Sequence, residues 1–296
     1  MESQPEISNL IQQMTLQRME KVWMRNLAEN LSTIRKAHNI SEIPKQPGRS
    51  AIVLGAGPST KYVDLSLLKD WKGVLISCDR QLPKLLEMGI EPYCVTTVDG
   101  SELIADFYKA PLVQEHAKNF RVVLSCQTTH PSVSAALPLE SQYYFVGLWD
   151  DPFALFSITR IFQELTDKMI LETGGNTGSC AFYLAYFLGC NPIGLLGIDF
   201  AYDTLNHTQT IYYETFKAIA GNDPKRMLSF YRKGLSSAGK PLLTDEMFLT
   251  YYNNLMPSLQ QVHNKIKVYN LGEYSLLPAE VAEPIGFEEY LKRMQA

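Results

Sequence analysis

The chain has 296 residues and a formal net charge of −4, with 46% hydrophobic and 20% charged residues. Its length accommodates one large α/β domain with an appendage, or two smaller domains. The acidic balance argues against nucleic-acid binding, which usually needs a basic surface. The longest apolar run is too short to span a bilayer, and the polar amino terminus has no signal-peptide core, so we expect a cytoplasmic protein.

The five cysteines are scattered along the chain and none forms a CxxC pair. This spacing suggests neither a zinc site nor a disulfide framework. Most of them lie in apolar runs, which is typical of buried free thiols in a reducing compartment. We therefore predict five buried thiols.

Helical spacing of apolar residues predicts a long helix over residues 7–39, within a helical N-terminal extension of residues 1–47. Beyond it, residues 48–296 alternate apolar runs with helical patterns, which favours a mostly parallel α/β sheet with helices on both faces. The polar, irregular segment 202–244 is expected to be an insertion or lid near the ligand. The predicted strands are 51–54, 73–78, 93–98, 121–126, 143–146, 193–198 and 266–269, and the predicted later helices include 82–88, 153–165, 180–188 and 247–263.

A glycine-containing loop follows the first predicted strand. Two glycines allow a tight turn and a close approach to a ligand, and the proline that follows fits a first helical turn. Such a junction presents backbone N–H groups to an anion, most often a phosphate. Taken alone, the segment is equally well explained as an ordinary tight turn, and it lacks the third glycine of the dinucleotide fingerprint. The predicted binding residues here are Gly55, Ala56, Gly57, Pro58 and Ser59.

Three apolar strands end in an aspartate, namely Asp79, Asp99 and Asp199. The carboxyl ends of parallel strands form the ligand crevice of a doubly wound sheet, so we expect these acids to face one cleft. Carboxylates there suit ribose hydroxyls or a magnesium ion that accompanies phosphates. The alternative is that each aspartate simply caps the helix after it.

A second glycine-rich segment runs directly into an apolar helix. The free N–H groups of that helix start would form a second anion cradle at the positive end of the helix dipole. The segment lacks the Gly-Lys-Ser/Thr ending of a P-loop, and the alternative is close packing of a helix start on the sheet. The predicted binding residues here are Gly174, Gly175, Asn176, Thr177, Gly178 and Ser179.

Taken in order, these motifs resemble the MptE-like/Maf domain over roughly residues 48–207. The residues that carry the resemblance are the loop at 55–59, Cys78 with Asp79, the run 89–99, and the stretch 174–199. The family includes archaeal 6-hydroxymethyl-7,8-dihydropterin diphosphokinases and motility accessory factors that resemble glycosyltransferases acting on flagellin. The resemblance implies a Rossmann-like fold and a nucleotide-dependent transferase.

The two branches of the family imply different chemistry. A glycosyltransferase would bind a CMP-linked nonulosonic acid with its phosphate at residues 55–59, and would pass the sugar to a protein or glycan acceptor. A diphosphokinase would bind ATP and Mg²⁺ through carboxylates, with Asp99 and Asp199 as metal ligands. The archaeal kinases are shorter and more acidic where this chain has residues 174–179, so we prefer the glycosyltransferase.

A third hypothesis is a non-catalytic nucleotide-binding partner in an assembly. The helix over residues 10–34 would then be an oligomerisation or docking surface, and a homo-oligomer is possible. The alternative role of that helix is to cover one side of the sheet.

His207 is the preferred candidate for proton transfer, because the ordinary pKa of histidine lies near neutrality. His130 is the second choice, and either could instead be a solvated loop residue. Tyr202 would stabilise the leaving phosphate by hydrogen bonding, as Tyr212 and Tyr213 could. The candidate catalytic residues are therefore His207, Asp199 and Tyr202.

Overall fold

Ten strands of this chain form one parallel sheet. The computed structural model describes residues 5–221 and 223–295, with side chains from residue 19 to residue 294 within those ranges. The strand order is β1-β6-β5-β4-β3-β2-β8-β11-β12, with β7 paired to β6. The strands are β1 (His38–Asn39), β2 (Ala51–Leu54), β3 (Val74–Cys78), β4 (Cys94–Thr97), β5 (Arg121–Ser125), β6 (Gln142–Gly147), β7 (Ile170–Leu171), β8 (Ile193–Leu196), β11 (Val268–Asn270) and β12 (Glu283–Pro284).

The predicted α/β fold is confirmed. The central strands are buried at every position because the sheet is covered on both faces. Along β2, Val53 packs in one core, whereas Ile52 and Leu54 pack in another on the opposite face. The helices are α1 (Pro5–Lys36), α2 (Leu82–Glu87), α3 (Ile104–Lys109), α4 (Pro111–His116), α5 (Pro131–Ala135), α6 (Ile158–Thr166), α7 (Thr177–Phe187), α8 (Tyr213–Ala220), α9 (Pro224–Ser229), α10 (Glu246–Val262) and α11 (Phe287–Gln295).

The strand order reverses direction at β2. From β2 the chain adds β3, β4, β5 and β6 on one side, and then returns to place β8 on the other side of β2. Leu54 at the end of β2 is in register with Ser77 of β3 and with Leu196 of β8. Because ligands of open α/β sheets bind where the order reverses, the loops after β2 and β8 are positioned to form a site.

The amino-terminal helix α1 is attached to the sheet by buried amide side chains. Asn26 Nδ2 donates hydrogen bonds to the carbonyl oxygens of Gly100 (3.3 Å) and Thr128 (2.8 Å), and Asn30 Nδ2 donates to Thr129 O at 2.7 Å. These carbonyls follow β4 and β5, so the helix lies across the carboxyl ends of those strands. The strand β1, which also falls within the predicted extension, pairs with β6. The division of the chain at residue 47 stays a prediction.

The segment 202–244 is not irregular, so that part of the prediction is wrong. It contains α8, α9 and an antiparallel hairpin of β9 (Tyr231–Leu235) and β10 (Pro241–Asp245). Phe216, Phe230 and Leu243 form a separate small core there together with Tyr202. Because α8 and α9 are short and β9 is half-exposed, none of these three elements produces a long apolar pattern in the sequence.

The other predicted elements are found, with shifted ends. The helix predicted over 153–165 starts at Ile158, because the Ser157 side chain caps it by accepting from Arg160 N. All five cysteines are buried, as predicted. Within residues 5–221 and 223–295, none of the helices combines the length and apolar content that a membrane crossing requires.

Candidate active site

A cleft of about 380 Å³ opens at the carboxyl ends of β2, β3, β4 and β8. It lies where the strand order reverses, as expected for this class of sheet. The structure brings together at this cleft most of the residues singled out from the sequence. These are Gly55, Ala56, Gly57, Pro58, Asp79, Asp99, Asn176, Thr177, Gly178, Asp199 and Tyr202.

The loop after β2 lies directly against the loop after β8. A Cβ atom on Gly57 would lie 2.5 Å from Asp199 Oδ2 and 2.7 Å from Gly197 O, so the contact requires glycine. Gly57 N donates to Gly197 O at 2.9 Å, and Gln81 Nε2 donates to Gly55 O at 3.0 Å. These bonds fix the path of the loop before any ligand binds.

Asp199 positions this loop. Its two carboxylate oxygens accept hydrogen bonds from Ser59 N and Ser59 Oγ, both at 2.8 Å. Burial raises the pKa of Asp199 to about 6, against these hydrogen bonds, which lower it. The geometry gives Asp199 a role in positioning the loop, and its catalytic and metal-binding roles stay predictions. Ser59, 1% exposed, is part of the same bond network and does not line the cleft.

Asp79 and Asp99 differ in exposure. Asp79 is buried and accepts hydrogen bonds from Arg80 N at 2.7 Å and from Thr97 Oγ1. Burial, with a smaller contribution from the nearby charge of Asp99, raises the pKa of Asp79 to about 6, against the hydrogen bonds from Thr97 and Arg80, which lower it. Asp99 is exposed, with Oδ1 accepting from Ser101 N at 2.8 Å. Neither caps the helix that follows it, since α2 begins after Gln81 and α3 after Leu103.

Two cationic side chains at the cleft were not singled out from the sequence. The exposed Arg80 lines the cleft, and among the described residues its side chain makes no hydrogen bond or ion pair. Lys61 Nζ lies 2.9 Å from Asp203 Oδ2. The feature of the sequence that could have indicated Arg80 as a site residue is its position directly after a strand-end aspartate. A guanidinium there suits bidentate binding of a phosphate.

The amino terminus of α7 forms another wall of the cleft. Asn176 caps the helix, accepting from Ser179 N at 3.0 Å and donating through Nδ2 to Ser179 Oγ at 2.8 Å. Thr177 and Gly178 follow, and the first N–H groups of this 11-residue helix have no intrahelical partner. Ser179 is fully buried and bonds to the cap residue, and its contact with a ligand stays a prediction.

Aromatic residues form another part of the cleft wall. Tyr202, Tyr212 and Phe248 line it, and the ring centroids of Tyr202 and Phe248 are 4.8 Å apart. The Tyr202 hydroxyl donates to Asp245 Oδ2 at 2.7 Å. Tyr202 therefore lines the cleft, while its hydroxyl is bonded to a buried carboxylate.

Neither histidine candidate reaches the cleft. The His207 ring packs against Tyr213 and Tyr231, with centroids 5.9 and 5.4 Å away, at the start of a short turn outside the cleft lining. His130 accepts a hydrogen bond from Ser132 N and caps α5. The role of His207 as proton acceptor stays a prediction, and its ring is not part of the cleft lining.

A second pocket, also of about 380 Å³, adjoins the cleft and is lined by Trp23 and Trp149. We call it the tryptophan pocket. The two indole rings meet edge to face, with centroids 4.9 Å apart and planes at 83°. Gly174 and Gly175, predicted to bind the nucleotide, line this pocket and not the cleft. Sequence reasoning missed the pocket because its walls come from α1, β5, β6 and α10, which are distant in the chain.

The fold and the cleft define a Rossmann-like α/β protein with a site at its topological switch point. The chain belongs to the family described as 6-hydroxymethylpterin diphosphokinase MptE-like, whose model matches residues 24–204. This confirms the resemblance seen in the motifs and supports a transferase-like role. No curated protein matches the chain.

A solved structure of a Maf glycosyltransferase from Magnetospirillum magneticum AMB-1 has a similar fold, with a TM-score of 0.64 at 17% sequence identity. The similarity covers 90% of this chain and 38% of the other, so this chain spans well under half of that protein. At this identity the likeness concerns the fold.

Proposed function

We propose that the chain is a nucleotide-dependent transferase whose cleft binds the phosphate of the donor. The observation that carries this proposal is that the glycine loop after β2, the free N–H groups at the start of α7 and the exposed side chain of Arg80 all lie at one cleft. N–H groups at a helix start and a guanidinium favour the same ligand, an anion with several oxygens. The aromatic wall would pack against the base or sugar.

We further propose that the donor is a CMP-linked nonulosonic acid and the reaction a glycosyl transfer. The support is the shared fold with a Maf glycosyltransferase over 90% of the chain. The N–H groups at the start of α7 and the Arg80 guanidinium would stabilise the negative charge that develops on the departing CMP phosphate. Asp99, the exposed carboxylate of the cleft, would accept the proton of the acceptor hydroxyl, the role first predicted for His207. A protein or glycan acceptor and a homo-oligomer stay predictions.

The second candidate is a pterin diphosphokinase that uses ATP and Mg²⁺. It is favoured by the description of the family and by the closeness of Asp79 and Asp99, whose charges interact. Magnesium is commonly held by one or two carboxylates together with substrate phosphates, and it would neutralise phosphate charge. Asp99 fits this role, whereas the oxygens of Asp199 bond to Ser59. Among the described residues no three acidic, histidine or cysteine side chains gather into a metal site.

Calorimetric titration distinguishes these candidates. The wild-type chain is titrated with CMP, and separately with ATP in the presence and absence of MgCl₂. Tighter binding of CMP supports the glycosyltransferase, and magnesium-dependent binding of ATP supports the kinase. If neither nucleotide binds, the transferase proposal fails and a non-catalytic assembly partner becomes the better interpretation. Once the donor is known, Asp99→Asn should lower turnover while the donor still binds.

A further inference from the structure

We propose that the tryptophan pocket binds the second substrate, and that this substrate presents a neutral, hydroxyl-rich sugar ring. The inference rests on the proposed function, because it assumes that the neighbouring cleft holds the nucleotide donor. The volume of about 380 Å³ lies within the range of small-molecule sites.

The pocket and the cleft are neighbouring compartments of one crevice. Val98 lines the pocket and the next residue, Asp99, lines the cleft. Just before α7 begins, Gly175 likewise lines the pocket and the next residue, Asn176, lines the cleft. On α10, Tyr251 faces the cleft while Asn254, one turn later, faces the pocket. Ligands in the two compartments would therefore meet beside Asp99, where the transfer is proposed to occur.

The residues that line the pocket favour a ligand that carries hydroxyl groups and no negative charge. Glu172 is its one charged residue, and none of its lining side chains is cationic. Thr128 lines the pocket and its Oγ1 is buried without a hydrogen-bond partner among the described residues. The pocket thus places the Glu172 carboxylate, the Asn254 amide and the Thr128 hydroxyl beside two indole rings. This set suits a sugar ring, because the C–H faces of a sugar pack on tryptophan and its hydroxyl groups donate hydrogen bonds to a carboxylate. An anionic sugar would be repelled by Glu172.

The tryptophans are held in place by the fold. A Cβ atom on Gly100 would lie 3.0 Å from Trp23 Cδ1 and Nε1, so Trp23 packs tightly on this glycine. Asn26, one turn further along α1, bonds to Gly100 O and Thr128 O. Trp149 also packs against Phe162, with ring centroids 6.3 Å apart. The pocket is therefore formed before the ligand arrives, which limits the entropic cost of binding.

The indole N–H signals of the ¹⁵N-labelled chain provide the test. The chain has three tryptophans, and the third, Trp71, lies in a different core beside Tyr290 and serves as an internal control. Titration with methyl β-D-glucopyranoside should shift the signals of Trp23 and Trp149 and leave that of Trp71 unchanged. N-acetylneuraminic acid and 6-hydroxymethylpterin are the anionic and the planar comparison ligands. The inference is overturned if the glucoside shifts neither signal, or if either comparison ligand binds more tightly.

Two substitutions make the test specific. Glu172→Gln and Trp149→Ala should each weaken binding of the glucoside by about tenfold or more. Glu164→Gln, on an exposed position of α6, should leave it unchanged. CMP titration of the same samples separates the two proposals. If CMP binds and the glucoside does not, only the present inference fails. If no nucleotide binds to the wild-type chain, the proposed function fails first.

Discussion

Ser59 donates two hydrogen bonds to Asp199, one from its backbone amide and one from its hydroxyl, each at 2.8 Å. The two residues belong to the loops after β2 and β8, so the pair joins the chain across the point where the strand order reverses. Ser59 Oγ also accepts a hydrogen bond from Tyr274 N at 3.1 Å. One serine side chain therefore holds three separate segments together beneath the cleft.

We predict that Ser59→Ala lowers the free energy of unfolding by about 1–3 kcal/mol, because it leaves a buried carboxylate and a backbone N–H each short of a partner. Urea denaturation measures the change. Ser66→Ala is the matched control, since Ser66 Oγ donates to Asp64 in the same way at an exposed position. If the free energy of unfolding falls equally in the two variants, the Ser59–Asp199 pair does not have the stabilising role proposed for it.

Acid should stabilise the protein through its buried aspartates. Burial raises the pKa of Asp79, Asp199 and Asp245 to about 6 in the folded chain, above the ordinary value of 3.8. The folded state therefore binds these protons more tightly than the unfolded state does. The resulting stabilisation is complete below the ordinary pKa and is lost as the pH rises through about 6.

Asp245→Asn tests this pH dependence, because asparagine does not titrate. Between about pH 7 and about pH 5, the wild-type chain should gain about 1 kcal/mol more free energy of unfolding than the variant does. Chemical denaturation at both pH values measures the difference. Asp64→Asn is the control, because Asp64 is exposed and hydrogen bonds from Ser66 lower its carboxyl pKa. This variant should gain as much free energy of unfolding on acidification as the wild-type chain does. If the free energy of unfolding of Asp245→Asn changes with pH as that of the wild type does, the stabilising effect assigned to protonation of Asp245 is refuted.

The loop after β2 should not tolerate a side chain at Gly57. A Cβ atom there would lie 2.5 Å from Asp199 Oδ2 and 2.7 Å from Gly197 O. We expect Gly57→Ala to displace the loop, to cost about 1–3 kcal/mol of stability and to abolish nucleotide binding. Gly286→Ala is the control, because a Cβ atom on Gly286 meets nothing within 4 Å. Calorimetric unfolding and nucleotide titration of the two variants give the comparison.

Arg80 should contribute to nucleotide affinity with little effect on folding, because it is exposed at the cleft. Removal of a charge-assisted hydrogen bond costs about 1.5–3 kcal/mol, so Arg80→Gln should weaken binding about tenfold or more. Arg226→Gln, another exposed arginine on α9, should bind nucleotide as the wild type does. Unchanged affinity in Arg80→Gln would place the phosphate elsewhere.

Much of the sheet could be predicted from the sequence, because buried parallel strands such as Ala51–Leu54 are apolar at every position. The strand-end aspartates and the glycine loop were likewise visible, and the topology of the sheet brings them to one cleft. Their separate roles were not visible, because burial decides them. Asp79 and Asp199 are buried and Asp99 is exposed, although all three follow similar strands.

The parts that could not be predicted depend on distant contacts. His207 was chosen for the intrinsic acidity of its ring, but the hairpin and α8 place Tyr213 and Tyr231 against it. The pairing of Trp23 with Trp149 joins residues from α1 and from the loop after β6. No local pattern in the sequence indicates such a contact.

The residues just before α7 are shared between the two compartments, because Gly175 lines one and Asn176 lines the other. A ligand that moves this short segment in one compartment changes the shape of the other. Thermodynamic linkage then requires the effect to be mutual, so a nucleotide that strengthens sugar binding must itself be bound more tightly when the sugar is present, by the same factor. The affinities for the two substrates are therefore coupled through the two residues that precede α7.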